Sequence, residues 1–104
     1  MLLAFSIAPS GPDTSGSYSE AVAAAVRIVR ASGLPNRTDA MFTTLEGEWD
    51  EVMAVVKACV DAMTPYGDRV SLVMKADIRP GFTGQLEAKV SRVEERLSAT
   101  ETDL

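Results

Sequence analysis

Two short clusters carry the side chains best suited to chemistry. Glu46 and Glu48, either side of Gly47, offer the paired carboxylates of an acid–base mechanism. Lys75 and Asp77 stand two residues apart, so on a strand they share one face, as a polar site or as a plain ion pair. Glu48 also reads more simply as a first-turn helix residue. Cys59 is the only cysteine and there is no histidine. That removes the commonest general base, the usual serine-hydrolase triad, cysteine-rich zinc sites and any intrachain disulfide. Cys59 itself falls in an apolar helical pattern and reads as a buried small hydrophobe. Gly11 and Gly16 follow an apolar stretch, yet they form neither GxGxxG nor a GK[ST] loop, so a phosphate cradle is not expected. Catalysis is not expected either, and no cofactor or metal is called for.

The elements that must position these groups read clearly. Residues 2–8 form a short apolar strand, with Leu3, Phe5 and Ile7 on one face and Ala4, Ser6 and Ala8 on the other. A loop rich in Pro, Gly and Ser follows. Ser17-Tyr18-Ser19-Glu20 has the form of a capping box, opening a helix over residues 18–32 that Gly33 ends. Residues 37–46 read as extended, long enough for two short strands with a bend near residues 40–42 or for one bent strand. Trp49, Val52, Met53, Val56, Cys59, Val60 and Met63 recur at helical spacing, and Trp49 is assigned to the core because it begins that stripe. Residues 69–79 alternate as a half-buried strand. A last helix follows Thr83, with Leu86, Val90, Val93 and Leu97 on one narrow stripe. Residues 1–97 are read as one domain, with residues 98–104 expected to fray. The order strand, helix, two strands, helix, strand, helix points to an α+β, ferredoxin-like βαββαβ fold. Its antiparallel sheet carries helices on one face, plus a C-terminal helix.

Composition narrows the partners. The chain has 104 residues and a net charge of −5, with its ten basic residues scattered rather than clustered. Nucleic acid and anionic membranes are therefore not expected partners. No apolar run approaches the ~20 residues of a bilayer span, and the apolar start lacks a basic leader, so a cytoplasmic location is expected. Helices on one face leave the other face of the sheet uncovered, with Ala4, Ala8 and Val73 on it. Packing against a second copy would bury that surface, so a homo-oligomer is expected. Ser6, Ser71, Lys75 and Asp77 share the less apolar faces, and the polar groups among them need partners from across the interface or from a ligand.

Several segments together resemble the thiamine-binding protein family of the YkoF-like superfamily. They are Phe5-Ser6-Ile7-Ala8-Pro9 with Gly11, Ser17-Tyr18, Ser32-Gly33-Leu34, the stretch Met41-Phe42-Thr43-Thr44-Leu45-Glu46-Gly47-Glu48-Trp49, Arg69-Val70, and Lys75-Ala76-Asp77-Ile78-Arg79. The resemblance implies a ferredoxin-like subunit, a homo-oligomer that is commonly a tetramer built from dimers, and binding of thiamine or its hydroxymethylpyrimidine part without catalysis. It places Ser6, Tyr18, Thr43, Glu46 and Lys75 at recurrent motif positions, which makes them the expected ligand-binding residues. Phe42 stands where the family usually has glycine, and the loop after Ser10 places its glycines differently. The alternative expectation is an oligomeric interaction or regulatory module that binds no ligand.

Overall fold

The computed structural model describes residues 1–11 and 18–103, with side chains described to residue 99. The elements are β1 (Leu2–Pro9), α1 (Ser19–Ala31), β2 (Asn36–Thr38), β3 (Thr43–Glu46), α2 (Trp49–Asp61), a 3-10 turn (Thr64–Tyr66), β4 (Val70–Asp77) and α3 (Gln85–Asp103). The strands form one antiparallel sheet in the order β2-β3-β1-β4, as expected for the ferredoxin-like arrangement. The central strand β1 pairs with β4 along its whole length, from Leu2 opposite Asp77 to Pro9 opposite Val70. With β3 it pairs only over its first half, from Leu2 opposite Glu46 to Phe5 opposite Thr43. Residues 6–9 of β1 therefore have a strand neighbour on one side only among the described residues.

The two-residue period of β1 decides which face is covered. Leu3, Phe5 and Ile7 are buried against α1 and α2, together with Leu45 of β3. Ala21, Ala25 and Val29 bring α1 down onto the sheet, and Val52, Val56, Cys59 and Met63 do the same for α2. The small alanines let α1 approach closely, and the Cys59 thiol lies 3.5 Å from the Ala25 carbonyl across the helix pair. Gly33 adopts φ 77° and ends α1 as its position predicts. At the start of α2, the Glu48 amide donates to the Glu51 carboxylate at 3.1 Å. The capping box expected at Ser17 lies outside the described residues.

Two expectations are corrected. Trp49 is 55% exposed rather than part of the core. It is the first residue of α2, and the buried stripe begins only at Val52, where the helix meets the sheet. On β4 only Val70 and Leu72 pack against the core; Met74 and Ala76 share their parity but are exposed. β4 is an edge strand, and the helices reach only its first half.

The opposite face of the sheet presents Ala4, Ser6 and Ala8 beside Lys75, Val73 and Ser71. One corner of it is covered by the first turn of α3. There the Glu46 carboxylate accepts the Gln85 and Leu86 amides at 2.9 and 3.1 Å, and Lys89 pairs with Asp77. No helix among the described residues is long and apolar enough to cross a membrane.

Candidate functional site

A crevice opens where β1 outruns β3. The turn between β2 and β3 folds over the end of β3, leaving a space of about 150 Å³ between residues 5–7 of β1, Val22, Ala25 and Val26 of α1, and residues 38–43. Its polar groups are specific. Thr43 is buried at 7% exposure, and its hydroxyl lies 3.1 Å from that of Thr38. Either hydroxyl can donate to the other, so the pair can present a donor or an acceptor to a third group. Asp39 shapes the turn. One carboxylate oxygen accepts the Met41 and Phe42 amides at 2.8 and 2.9 Å. Those two bonds hold the Asp39 carboxyl below its ordinary value, so a fixed negative charge stands at the rim. Phe42 supplies an aromatic wall.

A second, larger cavity of about 490 Å³ lies at the other end of β3, among Met1, Leu34, Asn36, Glu46, Phe82 and Leu86. Its carboxylates are already engaged. Glu46 caps α3, and Glu87 pairs with Arg37 at 2.8 Å.

The five expected ligand residues therefore do not converge on one point. Ser6 and Thr43 both border the crevice, but their side chains lie on opposite faces of the sheet: Thr43, opposite Phe5, is on the helix face, whereas Ser6, opposite Val73, is on the open face with Lys75. Tyr18 is exposed at the cap position just before α1, four residues ahead of Val22, and does not line the crevice. Glu46 is buried at 8% exposure but belongs to the larger cavity. It lies three residues from Thr43 on a strand, about 10 Å away and on the opposite face. Lys75 is exposed on the open sheet face, opposite Ala4. The residues that sequence reasoning passed over are Thr38 and Asp39. An aspartate ahead of a predicted bend is an Asx-turn signal, and it marked the turn without marking the rim.

Residues 3–94 match the family described as thiamine-binding protein. The chain is similar to UPF0045 protein Mb1933 of Mycobacterium bovis, 50% identical over 98 residues that cover 93% of this chain and 94% of that one. Among solved structures it is similar to hypothetical protein MJ1052 from Methanocaldococcus jannascii, at 30% identity and TM-score 0.79, over 90% of this chain and 95% of that one. A Thermotoga maritima protein provisionally assigned to thiamine biosynthesis or salvage shares the fold, with TM-score 0.74 at 24% identity, over 88% of this chain and 96% of that one.

Proposed function

Because the chain belongs to the thiamine-binding protein family, we propose that it binds thiamine or its hydroxymethylpyrimidine part without transforming it, as a homo-oligomer. The observation that carries this reading is the crevice, where the Thr43 and Thr38 hydroxyls meet with the Asp39 carboxylate at the rim. An aminopyrimidine needs paired donors and acceptors between apolar walls. The threonine pair supplies the first, and Ile7, Val26 and Phe42 the second.

Size decides how much of the ligand enters. Pockets for whole drug-sized ligands run from ~300 Å³ upward. At about 150 Å³ the crevice takes one ring. The pyrimidine goes in, and the cationic thiazolium stays at the rim beside Asp39. The open sheet face, with Val73 at 55% exposure, packs against a second copy. Glu46 and Lys75 then act outside the ligand contact, Glu46 by holding α3 in place.

Isothermal titration calorimetry with thiamine and with hydroxymethylpyrimidine tests the reading. One site per chain is expected. Thr43→Val and Thr38→Val should each weaken it by about 3–10-fold, the worth of one hydrogen bond. Binding untouched by both substitutions would overturn the assignment. Phe42 favours a second reading, since its ring narrows the space where the family resemblance expects glycine. If neither compound gives heat while the chain still assembles, the oligomeric module without a ligand is the better description.

A further inference from the structure

The charge around the crevice is one-sided. Among the described residues that line it, Asp39 is the only ionisable side chain, and none is lysine or arginine. Its carboxylate is held by the Met41 and Phe42 amides, and no ion pair among the described residues includes it. Two amides orient a carboxylate without cancelling its charge, so the full negative charge stands at the rim. The surroundings add to it. Glu20 lies in the first turn of α1 and answers the positive end of that helix, which would otherwise draw an anion. Residues 12–17, which lead into α1, include Asp13 and no basic residue. Arg27 and Arg30 of α1 and Arg37 of β2 do not line the crevice, and Arg37 is paired with Glu87 at the other cavity.

A phosphate ester brings close to two negative charges at neutral pH and is held by arginine, lysine or a helix start free of acids. The crevice supplies none of these. A dianion one ring and its side arm away, roughly 8 Å from an exposed carboxylate, is repelled by about fivefold in affinity at low salt. We infer that Asp39 selects ligands by charge: the site takes thiamine or hydroxymethylpyrimidine as the free alcohol and rejects the corresponding phosphate esters. This selection presupposes the thiamine-binding reading and adds a charge rule to it. It also gives the site a place in a reaction sequence. The bound form is the one that precedes phosphorylation. Phosphoryl transfer from a nucleoside triphosphate to the ligand's hydroxyl yields the ester, a nucleoside diphosphate and a proton, and the ester no longer binds.

Titration calorimetry on the full chain tests it, with thiamine, thiamine monophosphate, hydroxymethylpyrimidine and hydroxymethylpyrimidine phosphate, each at about 20 mM and about 500 mM sodium chloride. Each ester should bind about fivefold or more weakly than its alcohol at low salt, and the gap should narrow at high salt. Asp39→Asn separates charge from shape, because the asparagine oxygen still accepts the Met41 and Phe42 amides while the charge is gone. In that variant the gap should close at low salt, and the ratio of thiamine to hydroxymethylpyrimidine affinity should fall about threefold, the worth of one unit charge at similar range. Esters that bind native protein as tightly as their alcohols overturn the selection and leave the thiamine-binding reading in place. A gap that persists unchanged in Asp39→Asn and at high salt overturns the role of Asp39 and assigns the exclusion to size. If none of the four compounds binds, the thiamine-binding reading falls and the selection with it.

Discussion

Cys59 shows how far an environment can change a side chain's chemistry. Burial between α1 and α2 pushes its thiol from 9.0 up to about 11, and its Sγ faces the Ala25 carbonyl. At pH 8 the thiolate fraction is then roughly 100-fold below that of an unfolded cysteine, so iodoacetamide should leave native protein unmodified and label it once urea unfolds it. Asp39 runs the other way. Its carboxyl is depressed by the Met41 and Phe42 amides, so its hold on the turn is complete above the ordinary carboxylate value of 3.8 and fades as pH falls through the lower folded value. The protection of the Met41 and Phe42 amides, taken as exchange relative to the unstructured-peptide rate at the same pH, should therefore hold at pH 4 and decline only below it, while Asp39→Ala should lack that protection at any pH. Glu46 was legible as a polar position but not as a cap. Its partners, Gln85 and Leu86, lie 39 and 40 residues away, and no local spacing announces a cap of that range. Glu46→Ala should cost about 1–2 kcal/mol in a urea titration, the usual worth of a helix cap.

At the level of elements, periodicity carried most of the reading. Every expected strand and helix of the fold is present, and the expected bend separates β2, which starts one residue earlier than read, from β3. What periodicity could not supply was how far each apolar face is actually covered. Trp49 obeys the helical spacing of α2 and Met74 the alternation of β4, yet both are exposed, because the packing partner ends before reaching them. A face is a property of one element; burial needs two. The same limit hid the crevice, which exists because β3 is shorter than β1 and leaves residues 6–9 without a neighbour on that side among the described residues. The connection into β4 contains a close approach of the same tertiary kind. Gly67 has φ 149°, and a methyl group there would run into the Ser10 hydroxyl and sit 3.1 Å from the Ser10 amide nitrogen. Gly67→Ala should therefore lower the thermal midpoint, by several degrees for a loss of ~1 kcal/mol in a domain of this size. Gly33→Ala, whose added methyl meets open space, should act through its backbone strain alone.

For the whole molecule, the one-sided placement of α1 and α2 has the widest consequences. It buries one face of the sheet, exposes the other, and brings the end of α1 beside the crevice where β1 outruns β3. The order of strands and helices was enough to foresee the exposed face, and the resemblance to a family was enough to name a ligand class. The meeting of Thr38 with Thr43, and the separation of Thr43 from Glu46 and Lys75, depended on register and strand length. The most direct test of that division is a ¹H–¹⁵N correlation spectrum recorded while hydroxymethylpyrimidine is added. The account predicts shifts concentrated at Ser6, Ile7, Val22 and residues 38–43, saturating together. Shifts centred instead on Leu34, Asn36, Phe82 and Leu86 around the larger cavity, or no shifts at all, would contradict it.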